Sequence, residues 1–188
     1  AGQSDDWLVT PSLAITSNMY LLWEGRSANA NNFESYEVLV STTGNAVADF
    51  TSTIVTVPSE TVEWNQRSYD LSAYDNSTIY IAFRNTSTDK YILGIDDIVV
   101  RTVNPSEDVA ITEITTADLH VQNSAVSVEG IISNVGGTAV TSLTVNYTVN
   151  GGPVVSQPLS GLNIPPFTTS NFTMSTTFNA SNAGSLLI

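Results

Sequence analysis

The sequence predicts an all-β protein, and three observations carry that reading. Apolar residues recur with period two: Ile79, Ile81 and Phe83 alternate with Tyr80, Ala82 and Arg84 in a stretch rich in aromatic and β-branched side chains. Turn-forming clusters break the chain at short intervals, among them Thr43-Gly44-Asn45, Asn134-Val135-Gly136-Gly137, Asn150-Gly151-Gly152-Pro153 and Pro165-Pro166. No window of helical periodicity exceeds about two turns. In order along the chain, strands are expected at 20–23, 36–40, 52–57, 79–84 and 91–100, then at 109–114, 126–132, 143–149 and 171–178. Many short strands separated by Gly, Asn and Pro make a sandwich or a jelly roll.

The 188 residues divide near 102–107. Pro105 cannot donate to a ladder and Asn-Pro favours a turn, so the strand ending at Arg101 should stop there. Composition shifts at the same place. All five basic residues and all three Trp precede it; the first part carries 13 acids and the second 5 acids with no base. Two sandwich domains are expected, 1–103 and 104–188, the first open to further strands before its start and the second ending in 185–188, which reads as the start of one more strand.

Charged residues are only 12% of the chain, and 23 Ser with 24 Thr take their place. A net charge of −13 leaves no basic patch, which argues against nucleic acid and against an anionic membrane as partners. No apolar run approaches the roughly 20 residues that span a bilayer, and no signal-peptide pattern is seen within these residues. With no cysteine, a disulfide framework, thiol catalysis and cysteine metal sites are excluded.

Four separated motifs carry a resemblance. Asp5-Asp6-Trp7-Leu8-Val9-Thr10-Pro11 opens the chain, followed by Glu34-Ser35-Tyr36-Glu37-Val38-Leu39-Val40-Ser41, then Ile81-Ala82-Phe83-Arg84, then Ile95-Asp96-Asp97-Ile98. In this order and spacing, residues 5 to 100 resemble the cleaved-adhesin family, also called choice-of-anchor J domains, to which the adhesin modules of gingipain-type surface proteins of Bacteroidetes belong. The resemblance implies a jelly-roll β-sandwich, secreted or displayed on the bacterial outer surface, that binds rather than catalyses. From about Asp108 the chain resembles Ig-like modules associated with bacterial adhesion, on Asn134-Val135-Gly136-Gly137 and on the Asn150-Gly151-Gly152 hairpin, turns that tolerate φ > 0.

Catalysis finds little support. His120 is the single histidine, there is no Gly-x-Ser-x-Gly elbow, and a half-exposed strand or loop histidine is the favoured reading. Jelly-roll glycosidases place carboxylates at alternate strand positions, yet no two acids here are separated by one residue. The chain is therefore not expected to be an enzyme.

Candidate binding residues are Trp64, Arg26, Asn31 and Asn32. An aromatic face suits the apolar side of a pyranose, and Trp64, flanked by Glu63 and Asn65, is the most exposed of the three Trp by its setting. Trp7 and Trp23 sit in apolar runs and read as core. Residues 29–32 form a polar loop whose default use is a solvated turn.

Calcium is the one cofactor the sequence suggests. Asp96 and Asp97 are adjacent within a strand, so one of them faces the packed side or an edge unless a bulge intervenes. Its partner is either Arg84 or a structural Ca²⁺. The resemblance implies the ion, with Glu34, and Asp5 or Asp6 from the opening motif, completing the set. The whole is expected to be an adhesin-type module recognising a glycan or a host protein, with an Ig-like spacer and further domains of the same polypeptide. The alternatives are an accessory region of a larger secreted hydrolase (peptidase or glycosidase) and a structural stalk.

Overall fold

The computed structural model describes residues 2–104, 106–117 and 119–180. It divides into two compact units, residues 1–103 and 104–188. Each is a pair of antiparallel sheets, and among the described residues there is no α-helix.

In unit 1, one sheet has the order β1-β7-β4-β5, from β1 (Trp7–Val9), β7 (Thr78–Asn85), β4 (Tyr36–Ser41) and β5 (Ser52–Val57). A short β2 (Leu13–Ala14) also pairs with β7. Pro11 has no N–H to give, so β1 and β2 are two pieces rather than one strand. Thr10 bridges the gap: its backbone N–H donates to Ile81 and its side chain accepts from Ile81 N–H. The facing sheet has the order β6-β3-β8, from β6 (Asn65–Asp70), β3 (Met19–Ser27) and β8 (Leu93–Thr102). Leu21 and Trp23 from β3 meet Tyr36, Val38, Val40, Ile79, Ile81 and Phe83 from the other sheet in one buried core. Trp23 is 1% exposed and packs edge-on to Phe83. Leu39 and Ala82 point to the outer side of their sheet, where Phe50, Trp7, Val9 and Tyr80 cover them.

Unit 2 pairs the sheet β13-β10-β9 with the two strands β11-β12. These are β9 (Val109–Ile114), β10 (Ala125–Asn134), β11 (Val140–Tyr147), β12 (Val155–Ile164) and β13 (Thr169–Asn179). Strand β10 follows period two: Val126, Val128, Gly130, Ile132 and Asn134 are buried and their neighbours are not. Val128 and Ile132 meet Val145, Tyr147, Ile164, Phe172 and Met174 in a core of unit 2's own.

Two turns differ in physical cause. Asn150 and Gly151 both have positive φ, +50° and +70°, as the hairpin between β11 and β12 demands. Gly136 has no positive φ, contrary to the expectation; it is needed because a Cβ there would collide with the backbone of Ser106 and Asp108. The turn is held by Asn134, fully buried, whose Nδ2 donates to Thr138 O and Ile164 O, each at 2.8 Å, while Oδ1 accepts from Gly136 N.

The expected strand at 91–100 begins only at Leu93, leaving Tyr91 and Ile92 in a loop. Strand β12 was absent from the expected set because Pro158 and Gly161 break its apolar pattern; Pro158 stands opposite Thr144 and Gly161 takes φ +70°. The expected start of a strand at 185–188 lies outside the described residues.

Candidate functional site

Three loops leave unit 1 at one end of the sandwich: residues 28–35 after β3, 58–64 after β5, and 86–92 after β7. Backbone bonds lace them together. Ser27 N donates to Thr61 O at 2.6 Å, Ala28 N to Ile92 O at 3.0 Å, Glu60 N to Glu34 O at 2.8 Å and Thr86 N to Ser35 O at 3.0 Å.

Beneath this end lies a buried polar network. Glu34 is 2% exposed and Glu60 not at all. Glu60 takes a two-pronged ion pair from Arg67, Nε to Oε2 at 2.7 Å and Nη2 to Oε1 at 2.9 Å. The hydroxyl of Tyr36 donates to Glu60 Oε2, and Trp23 Nε1 donates to that hydroxyl, each at 2.9 Å. Ser27 Oγ donates to Glu60 O and accepts from Glu34 N. Glu34 Oε1 accepts from Tyr91 N at 2.6 Å, which fixes the third loop. Gly25 is required here, since a Cβ would come within 2.6 Å of Glu60 Oε2. Burial works against the charge on Glu60, but the bonds from Arg67, Thr61 N–H and Tyr36 together hold its carboxyl below the usual value. Burial also pushes the Tyr36 hydroxyl far above its ordinary range. Arg67 is raised, chiefly by its bond to Glu60. At neutral pH Glu60 is ionised, Arg67 charged and Tyr36 neutral, so the bonds among these three are those the network needs.

On that base the loops expose apolar side chains. Phe33 is 43% exposed, Trp64 45% and Tyr91 69%, with Ile92 beside Tyr91 also exposed. The Arg26 guanidinium lies over the Trp64 ring, 5.1 Å from its centre. Gly94, paired with Arg26, lets the ring lie close, because a Cβ there would be 3.1 Å from both Trp64 and Arg26. Trp64 and Arg26 are thus brought together. Asn31 and Asn32 lie in the adjoining loop, where Asn29 closes a turn by accepting from Asn31 N at 2.8 Å. Phe33, Tyr91 and Ile92 were not among the expected residues. Their signal was apolar residues inside polar loop sequence, Asn31-Asn32-Phe33 and Asp89-Lys90-Tyr91, and it is too weak to single out unaided.

The acids considered for calcium are not brought together. Between Leu22↔Val99 and Glu24↔Asp96 the register shifts, so Asp97 and Ile98 together oppose Trp23 in a bulge, with Asp97 at φ +47°. Both Asp96 and Asp97 are consequently exposed, and neither is a buried carboxylate that needs relief. Asp96 Oδ1 accepts from Asp97 N–H, and Glu34 is engaged with Tyr91. Arg84 pairs not with Asp96 or Asp97 but with Asp5 at 2.7 Å and Glu37 at 3.6 Å. Asp5 also accepts from Trp7 Nε1, and Arg84 lies over the Trp7 ring, so the opening motif is a clasp on β7. The bond to Arg84, then that to Trp7, holds the Asp5 carboxyl below its usual value. Asp6 binds through its backbone, accepting from Asn85 N. Among the described residues no three acids or histidines are grouped to hold a metal, and these five do not fit one ion. His120 lies exposed in the loop before β10 of unit 2.

Comparison with known proteins bears on the same region. The family model described as Cleaved Adhesin Domain matches residues 1–100. Hemagglutinin A of Porphyromonas gingivalis is 33% identical over 126 residues, covering 57% of this chain and 5% of that protein. Gingipain R1 of Porphyromonas gingivalis is 29% identical over 113 residues, covering 52% of this chain and 6% of that protein. The chain therefore spans about a twentieth of the length of these relatives. Among solved structures, the K1 cleaved adhesin domain of Lys-gingipain from Porphyromonas gingivalis is similar at 29% identity and a TM-score of 0.45, over 52% of this chain and 63% of that one.

Proposed function

The chain belongs to the cleaved adhesin domain family, and from that premise we propose that unit 1 binds an extracellular partner, a host protein or a glycan, through the loop end that carries Trp64, Arg26, Phe33 and Tyr91. The observation that carries this reading is the exposure of three aromatic rings on loops anchored to a buried ionic network. Exposed Trp and Tyr beside an Arg, on a preorganised base, are the composition of binding hot spots. Their spread over three loops favours a protein over a single sugar ring, which one Trp face would accommodate. Unit 2, a separate sandwich with its own core, serves as an Ig-like spacer. The module works outside the cell, secreted or on the bacterial outer surface, as part of a longer polypeptide. A second reading, a non-catalytic region of a larger secreted hydrolase, is favoured by the matches to Gingipain R1 and Lys-gingipain, of which such a module is a small fraction.

Binding to fibronectin- and haemoglobin-type proteins and to a glycan array tests the proposal, with wild type set against the double variant Trp64→Ala, Tyr91→Ala. Loss of two hot-spot rings should weaken binding at least about tenfold. Equal binding by the double variant would move the site elsewhere, and silence of wild type in both arms would favour a stalk. Turnover of chromogenic glycosides or peptides would overturn the non-catalytic assignment.

A further inference from the structure

The sheet β6-β3-β8 of unit 1 carries a cleft of about 220 Å³ on its outer side. Leu21 and Trp23 of β3 turn inward to the core, so Tyr20, Leu22 and Glu24 stand on the outer face. Strand pairing sets that face in rows: Gln66, Glu24 and Asp96, then Ser68, Leu22 and Val99, then Asp70, Tyr20 and Arg101. Leu22 is 5% exposed and forms the floor of the cleft, with half-exposed Val99 beside it. Glu24, Gln66 and Asp97 line one end of that floor and Arg101 the other. Acid and base thus stand at opposite ends of an apolar strip.

The bulge in β8 creates the acidic end. In a regular strand Asp96 and Asp97 would face opposite ways; the extra residue, Asp97 at φ +47°, leaves both outside. Two features of this arrangement work against folding. An L-residue rarely takes that backbone conformation, and Glu24 directly opposes Asp96, a like-charge pair. Neighbouring groups do not offset them. Among the described residues, the side chains of Glu24, Gln66, Asp97 and Arg101 form no hydrogen bond or ion pair; the ion pairs of unit 1 join Arg67 to Glu60 and Arg84 to Asp5 and Glu37. Asp70, in the row of Arg101, accepts from the Tyr20 hydroxyl and from Ser72 N, and Arg26, the next base on this face, lies over Trp64. No group of three acids or histidines among the described residues is placed to hold a metal ion.

We propose that this cleft binds an ammonium group and a carboxylate joined by an aliphatic stem, the chemistry of a lysine at the C-terminus of a peptide. The ammonium lies at the acidic end and donates to Glu24, Asp97 and Gln66 Oε1; it has three donors and no acceptor, which suits three oxygen acceptors. The stem covers Leu22 and Val99. The carboxylate takes the two-pronged bond that the Arg101 guanidinium offers. Asp97 and Arg101 are four positions apart, roughly 13 Å along an extended strand, and both line the cleft between them, an interval for a stem of several methylene groups. The space exceeds the roughly 150 Å³ of an apolar cavity that admits benzene. Sugar hydroxyls could bond the same groups, but they give no reason for opposite charges at opposite ends. The site is separate from the loop end and does not rest on the reading given for it.

Titration of the isotope-labelled intact chain with 6-aminohexanoate, followed by amide NMR, tests this without any variant. The signals of Glu24, Asp97, Val99 and Arg101 should move together and saturate. Hexylamine and hexanoate, each lacking one of the two charges, should bind at least about tenfold more weakly. Arg101→Gln should bring 6-aminohexanoate down to the affinity of hexylamine. Asp97→Asn, which keeps a residue tolerant of left-handed backbone, should weaken it about tenfold as well. Trp64→Ala with Tyr91→Ala should leave it unchanged, so this site and the loop end can fail separately. No saturable shift at these amides overturns the proposal, as does an Arg101→Gln chain that binds like wild type. Equal binding of hexylamine by wild type would reduce the site to a cation patch and overturn it too. Shifts with methyl glycosides and none with 6-aminohexanoate would make it a sugar site, again overturning it.

Discussion

The hydroxyl of Tyr36 donates to Glu60 Oε2 over 2.9 Å while accepting from Trp23 Nε1, so a carboxylate at the base of the loops is bonded directly into the hydrophobic core. The Arg67 guanidinium completes the set from β6. Removing one member of such a group leaves the others buried and unpaired, which is where its energetic weight lies.

Glu60→Gln keeps the shape but removes the charge facing Arg67. Because Arg67 is about a quarter exposed, water softens the loss, and unit 1 should be destabilised by about 2 kcal/mol. Urea unfolding followed by Trp fluorescence measures it, since all three Trp lie in unit 1. A change within experimental error would show that the network adds nothing to folding.

Acid should unfold unit 1 through the same residue. The folded carboxyl of Glu60 titrates below its usual 4.5, so the unfolded chain takes up the proton first as pH falls. Its contribution is whole above about pH 4.5 and is lost as pH drops through the lower folded value. Asp5, also lowered, acts in the same direction. The melting temperature should be flat from pH 7 to 5 and fall toward pH 3, less steeply in Glu60→Gln. An identical acid slope in both proteins would remove Glu60 from this role.

Gly94→Val places a side chain under Trp64, where a Cβ alone would stand 3.1 Å from the ring and from Arg26. The ring is partly exposed and can swing out, so the expected cost is below about 1 kcal/mol. Trp emission should move to the red, and partner binding should weaken together with it. Unchanged emission would mean that the ring does not rest on Gly94.

Asn134→Ala deletes three hydrogen bonds, the two from Nδ2 to the carbonyls of Thr138 and Ile164 and the one Oδ1 accepts from Gly136 N. Unit 2 should lose about 2–3 kcal/mol. Circular dichroism follows both units and Trp fluorescence only the first, so the circular dichroism transition should shift while the fluorescence transition stays.

Excess calcium and excess chelator should give the same melting curve, because Asp5, Asp6, Glu34, Asp96 and Asp97 are dispersed and several are already bonded. An upward shift with calcium on metal-free protein would reveal a site these residues do not form.

The all-β class was legible in the sequence because it depends on period-two alternation and on turn chemistry, both local properties. Strand β10 alternates cleanly, β4 and β7 do so apart from Leu39, Ser41 and Ala82, which are buried as well, and Asn150-Gly151 needs nothing but its own backbone preference to turn. That Trp23 is core and Trp64 exposed could likewise be read from their immediate neighbours. The places that tertiary structure decided are those where distant residues meet. A bulge opposite Trp23 turned Asp97 outward, and nothing in Ile-Asp-Asp-Ile announces an extra residue against another strand. Glu60 looks like any surface acid beside a loop proline until Arg67, Tyr36 and Thr61 converge on it and burial becomes affordable. Trp64 and Arg26 lie 38 positions apart, and Phe33 and Tyr91 on two further loops. They form one surface only because β3, β5 and β7 all end at the same edge of the sandwich. Alternation is written along the chain, whereas a site is written across it: proximity between strands depends on register and pairing, which no local stretch of sequence contains.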